Sequence, residues 1–189
     1  MTVLKIVKNY SLFLSGIQIK HAIGGSLASS AWGEQRQTND ADFLVEISES
    51  NKHAFVKSLP YEYHIEENEI YEAIQSNEPF CVFQVIYKPT IFKIDNFIAK
   101  SKWETQELER AINLQIEDVN IPFASPECII IAKCLWFDKG NRVSDRQWND
   151  LIRIYEVQKV KLDENYVLKT LREFEVEDLW HELKRQSKV

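Results

Sequence analysis

The chain has 189 residues, 44% of them hydrophobic and 28% charged, with a formal net charge of -6. That length supports one domain, or one domain with a small helical appendage, and a core that needs no disulfide or metal staple. The acidic balance argues against a broad nucleic-acid-binding surface, which is normally basic, and no run of eighteen apolar residues is present to span a membrane.

The opening residues carry Lys5 and Lys8 but no long apolar run, so no signal peptide is expected and the expected location is cytoplasmic, with no membrane partner. Apolar positions at Leu4, Ile6, Val7, Tyr10, Leu12, Phe13, Leu14 and Ile17 predict an amphipathic helix over 4–18. Residues 21–23 predict a short strand ending in Gly24-Gly25, and 26–32 a short helix with Ser26 as its N-cap. Residues 40–47 read as a strand. Residues 48–51 turn into a helix over 52–59, which Pro60 closes. A short strand over 61–65 and a helix over 67–75 follow. The segments 80–87 and 91–98, joined by Lys88-Pro89-Thr90, predict a hairpin. Residues 103–115 predict a helix and 119–123 a last short strand. Ser125-Pro126-Glu127 is a helix start, with Ser at the cap and Pro in the first turn. That helix runs to 137, and helices over 144–158, 163–174 and 176–184 complete the chain. The expected class is α+β. A small mixed β-sheet flanked by helices occupies 1–123, and a helical segment over 124–189 packs on it as one unit.

Asp40 and Asp42, spaced i, i+2 in a strand, point to the same face. Two like charges beside a core are costly unless a cation joins them. Mg²⁺ suits such a place, because it takes a few carboxylates and completes its shell with substrate phosphates. Gly24-Gly25-Ser26, just upstream, offers backbone N–H donors at a helix start, where phosphates bind. Each feature also has a plainer reading. The glycines alone make a strand-to-helix turn, and Asp40 and Asp42 alone are solvent-facing carboxylates at a strand edge. Asp95 stands two residues from Lys93 on one face, where a surface ion pair forms. Lys133 lies in an apolar helical stretch, where its stem can snorkel to solvent. Arg142, Asp145, Arg146 and Asp150 read as a salt-bridged helix face. Trp32, Trp103, Trp136, Trp148 and Trp180 read as core or interface anchors. Cys81, Cys128 and Cys134 lack metal or redox spacing and read as buried thiols. The four histidines show no ligand spacing.

Taken together, Gly24-Gly25-Ser26, thirteen residues, Asp40-Ala41-Asp42-Phe43 and a later strand aspartate in Phe92-Lys93-Ile94-Asp95 resemble the nucleotidyltransferase superfamily that includes polymerase beta and the minimal nucleotidyltransferases. Arg36-Gln37-Thr38-Asn39-Asp40-Ala41-Asp42 is similar to the R-x-T-x-D-x-D form of bacterial members. Ser125-Pro126-Glu127, the apolar run after it and Lys133 resemble one helix of an uncharacterised bacterial branch, and Ser144 to Asp150 resemble its S-x-R-Q-W-x-D helix. The resemblance covers 21–158. It implies a nucleotidyltransferase-like fold and transfer of an NMP from an NTP to a hydroxyl acceptor by a two-metal mechanism. Asp40, Asp42 and Asp95 would be the catalytic carboxylates and the ligands of Mg²⁺ (or Mn²⁺), and Asp95 would also accept the proton. Gly24, Gly25, Ser26, Arg36 and Lys133 would bind the nucleotide. The acceptor is a protein, an RNA or a small molecule. Two alternatives stand beside this: a catalytically inactive nucleotide-binding relative, and a partner-binding module of the toxin–antitoxin type. Retention of all three carboxylates favours the active form over the inactive one.

Overall fold

The computed structural model describes residues 2–187, which fall into two compact units. One comprises the chain up to Gly25 together with Thr38–Ala124. The other comprises Ser26–Gln37 and the chain from Ser125 onward.

The first unit carries the helices α1 (Val3–Gly16), α3 (Lys52–Ser58), α4 (Glu67–Gln75) and α5 (Lys102–Glu109), while α2 (Gly25–Trp32) starts at Gly25, the last residue of that unit's first segment. Its strands are β1 (His21–Ile23), β2 (Asp40–Val45), β3 (Tyr63–Ile65), β4 (Val82–Tyr87), β5 (Phe92–Ile98), β6 (Ile112–Ile116) and β7 (Val119–Phe123). They form one mixed sheet in the order β3-β4-β5-β2-β1-β7-β6. β2 and β5 run parallel at its centre, as do β1 and β7, and the remaining neighbours are antiparallel.

Strand periodicity assigns the two faces of this sheet different work. Ala41, Phe43 and Val45 of β2, with Ile94, Asn96 and Ile98 of β5, are buried on one face. There α1 presents Ile6, Val7, Tyr10 and Leu14. Tyr10 meets Phe43 edge-on with ring centroids 5.1 Å apart, and Phe55 of α3 meets Phe83 in the same manner at 5.6 Å. The buried Asn96 is satisfied within this core, since Tyr10 donates its hydroxyl hydrogen bond to Asn96 Oδ1 at 2.9 Å. On the opposite face α5 covers one end through Leu108, which packs on Ala22 and Leu44 with Phe97 beside them. The other end of that face holds the aspartates.

Two local expectations are corrected. The helix predicted over 103–115 ends at Glu109, and Ile112–Ile116 forms β6, hydrogen-bonded to β7. Ile112, Leu114 and Ile116 alternate with polar residues, and the alternation has period two. The partner strand decides for β6. The helix over 26–32 begins one residue earlier, at Gly25, so Ser26 lies inside its first turn rather than capping it.

The second unit is helical. Besides α2 it contains α6 (Pro126–Lys139), α7 (Asp145–Gln158), α8 (Glu164–Glu173) and α9 (Glu177–Gln186). Three of these helices start on side-chain caps that satisfy otherwise orphaned first-turn N–H groups. Ser125 accepts from the Cys128 N–H, Ser144 from that of Gln147, and Asp163 from that of Tyr166. Their shared core contains Ile130, Cys134, Leu151, Ile154, Leu171, Leu179 and Trp180. Trp180 meets Tyr155 edge-on at 5.4 Å. The Gln158 side chain donates to the Trp32 carbonyl at 2.8 Å and ties the end of α2 to α7. Cys81, Cys128 and Cys134 are buried thiols. Among the described residues no helix is long and apolar enough to cross a membrane.

Candidate functional site

The three aspartates are brought to one face of the first unit's sheet. β2 and β5 are parallel neighbours in which Asp42 stands directly abreast of Asp95, and Asp40 stands abreast of Lys93. Neighbouring strands lie about 4.8 Å apart, so the Asp42 and Asp95 side chains rise from the sheet side by side. All three aspartates are half-buried. Gln84 of β4 faces Asp95 in the hairpin register, and its Nε2 donates to Asp95 Oδ1 at 2.8 Å. Among the described residues no ion pair links Asp95 to Lys93. Asp40 is oriented by Thr38, whose hydroxyl donates to Asp40 Oδ1 at 2.6 Å.

The glycine turn is built against Asp42. Gly24 extends the β1–β2 ladder by donating its N–H to the Asp42 carbonyl at 2.9 Å, so that donor serves the sheet. Gly25 follows in a left-handed conformation, φ +52, that side chains rarely adopt. The Asp42 carboxylate occupies the space where a Gly25 side chain would begin.

Ser26, Arg36 and Lys133 belong to the second unit, where a single carboxylate gathers two of them. Lys133 of α6 donates to Asp150 Oδ2 of α7 at 2.8 Å, and Arg36 Nε lies 3.5 Å from the same oxygen. Arg36 also hydrogen-bonds Ser26 Oγ through its guanidinium. Lys133 keeps only 11% of its side chain exposed. Burial pulls its ammonium below the ordinary lysine range, and Asp150 opposes that pull.

Of the residues predicted from sequence, Gly24, Gly25, Asp40, Asp42 and Asp95 converge on the sheet, while Arg36 and Lys133 converge on Asp150 and Ser26 is joined to them through Arg36. Asp150 had read as part of a salt-bridged helix face. Arg142 does behave in that way, pairing with Asp138 and Asp178. Asp150 instead turns inward to Lys133, seventeen residues away on another helix, a pairing that no local pattern announces. Gln84 was also missed, although a signal existed. It is a polar residue within an apolar strand, and a hairpin turning at 88–90 sets it opposite Asp95. His21 is structural. It is buried, its Nδ1–H donates to the Ile19 carbonyl at 2.9 Å, and its Nε2 accepts from the Ser11 hydroxyl at 2.7 Å.

The sheet cluster contains oxygen donors only, the chemistry a hard divalent cation requires. Among the described residues no group of three or more His, Cys, Asp or Glu side chains is drawn together closely enough to hold a metal by itself.

No family model and no curated protein sequence matches the chain. Solved structures do. An antigenic nucleotidyltransferase-like protein from Paracoccidioides brasiliensis is similar over 98% of this chain and 93% of its own, at 17% identity and a TM-score of 0.56. The antibiotic-resistance factor ANT(2")-Ia, in complex with adenylyl-2"-tobramycin, is similar over the whole of both chains at 12% identity and a TM-score of 0.57. The lincosamide antibiotic adenylyltransferase LnuA, lincomycin-bound, is similar over 83% of this chain and 98% of its own at 13% identity and a TM-score of 0.53. These likenesses establish a nucleotidyltransferase-like α+β fold.

Proposed function

We propose that the chain is a metal-dependent nucleotidyltransferase that moves an NMP from an NTP to an acceptor hydroxyl. The observation that carries this reading is Asp42 abreast of Asp95 on adjacent parallel strands, with the Gly25 turn closed against the Asp42 carboxylate. Asp40, Asp42 and Asp95 are the residues that would hold Mg²⁺ or Mn²⁺. When bound, that cation supplies Lewis-acid charge to the phosphate oxygens and to the attacking hydroxyl.

The chain's own groups account for the rest. The acceptor oxygen attacks the α-phosphorus, the bond from that phosphorus to the bridging oxygen breaks, and pyrophosphate departs. Asp95, with one oxygen held by Gln84, takes the hydroxyl proton on the other. Gly25 makes room for the Asp42 carboxylate; within the helical unit, Ser26, Arg36 and Lys133 are the groups that would bind phosphate charge. Of the neighbours, one carries an adenylylated aminoglycoside and another a lincosamide. Small hydroxylated molecules of those kinds are therefore the first acceptors to try, before RNA and protein.

The test is incubation with each α-labelled NTP, Mg²⁺ or Mn²⁺, and panels of small-molecule, RNA and protein acceptors. The expected result is label on one acceptor class, together with a nucleotide- and metal-dependent rise in melting temperature. The Asp40→Ala plus Asp42→Ala variant should lose both. An undiminished thermal shift in that variant sinks the metal-site reading.

A further inference from the structure

Lys133, Arg36 and Asp150 make an unequal cluster: two cations share one oxygen of one carboxylate. Their side chains are 11%, 24% and 15% exposed, so water screens them poorly. Lys133 takes the hydrogen bond. Arg36 Nε is buried with no hydrogen-bond partner, and its attraction to Asp150 is charge alone. The charged groups facing Lys133 within the helical unit are Asp150 and Arg146 from α7 and Arg36 from the segment after α2. Among the described residues α8, also packed on α6, adds none. Lys133 therefore faces two other cations, and Asp150 is the carboxylate that opposes all three.

We infer that Asp150 is a positioning residue, whose carboxylate holds Lys133 charged and fixes Arg36 beside Ser26 for a bound polyphosphate. The inference rests on the nucleotide reading above and deepens it. It assigns a role outside the three aspartates, to a residue that would touch neither metal nor phosphate. The physical reason is that a buried ammonium with no counter-charge releases its proton instead of remaining ionised. Without Asp150, Lys133 would face only Arg36 and Arg146, both repulsive. A neutral amine gives a phosphate far less than an ammonium does.

The experiment measures binding of MgATP, MgGTP and magnesium tripolyphosphate to wild type, Asp150→Asn, Asp150→Glu and the double variant Lys133→Met with Asp150→Asn, between pH 6 and 9 and below each protein's melting temperature. Wild type should bind with little pH dependence. Asp150→Asn should bind tenfold or more weakly at pH 9 and recover toward pH 6, where Lys133 regains its proton. Asp150→Glu should restore the flat profile. The double variant should bind weakly at every pH, because the group that titrates is gone. A merely structural Asp150 would lower the melting temperature and leave the pH profile flat. That result, or tighter binding by Asp150→Asn, overturns the inference while wild-type binding keeps the nucleotide reading. Wild type that binds none of the three probes overturns both.

Discussion

Gly25→Ala is the most direct test of how the site is held together. Gly25 sits at φ +52, and a Cβ added there would come within 2.8 Å of Asp42 Cβ, with the Asp42 carboxyl group closer still. Rotating the Asp42 side chain moves its oxygens but leaves its Cβ in place, because β2 lies between β1 and β5 near the centre of the sheet. Either the turn swings out or the strand bends. The left-handed backbone costs an alanine about 1 kcal/mol, and overpacking adds about 1–3 kcal/mol, for a destabilisation of about 2–4 kcal/mol. At roughly 2–4 °C per kcal/mol for a chain of this size, the melting temperature should fall by about 5–15 °C. The Asp42 carboxylate is displaced as well, and about 1 Å of misplacement at a reacting centre costs on the order of 10²-fold in rate. Gly24→Ala is the control: its Cβ would meet only the Asp42 carbonyl oxygen at 3.9 Å, ordinary contact, and should cost under about 1 kcal/mol. Urea unfolding followed by circular dichroism, with and without Mg²⁺ and ATP, reads stability and site together. Wild-type stability and nucleotide response in Gly25→Ala, or equal damage from both variants, would refute the reasoning.

Two further outcomes are expected. Gln84→Leu removes the donor to Asp95 Oδ1 at a stability cost of about 1 kcal/mol; nucleotidyl transfer should slow by tenfold or more while the nucleotide-dependent thermal shift persists, and an equal loss of both would place Gln84 in binding or folding instead. Glu107 of α5 is buried, and burial with the Glu104 charge beside it pushes its carboxyl up to about 8 from an ordinary 4.5. The folded state therefore keeps a proton that the unfolded state releases, so Glu107 favours folding most below pH 4.5 and its contribution is lost as pH rises toward 8. Glu107→Gln should flatten this decline, which approaches about 1.4 kcal/mol for each pH unit crossed, in urea titrations between pH 5 and 8. Parallel wild-type and variant slopes would show that the carboxyl is not protonated in the fold.

Much of the site was legible because its determinants are local. The i, i+2 spacing of Asp40 and Asp42 commits both to one strand face whatever the sheet does, and the two glycines mark a turn wherever the strand ends. The hairpin carries its own register, so Gln84 opposite Asp95 could have been read from the turn at 88–90. The helical tail was equally local, with Ser125, Ser144 and Asp163 capping where their spacing to apolar runs places them. Where a helix is expected over 103–115, the local reading failed at its end: Ile112, Leu114 and Ile116 alternate with polar residues at period two, and β7 offers them a ladder.

The chain by itself thus determined which residues form turns and caps and which share a strand face, because these depend on neighbours a few positions away. Only the tertiary structure decided that Asp42 lies abreast of Asp95, fifty-three positions later, since that register is set by β2 and β5 packing over one core. It alone decided that the Asp42 carboxylate occupies the space Gly25 leaves vacant. It alone turned Asp150 from a surface charge into the partner of Lys133, because a buried ammonium takes whichever carboxylate the fold delivers to it.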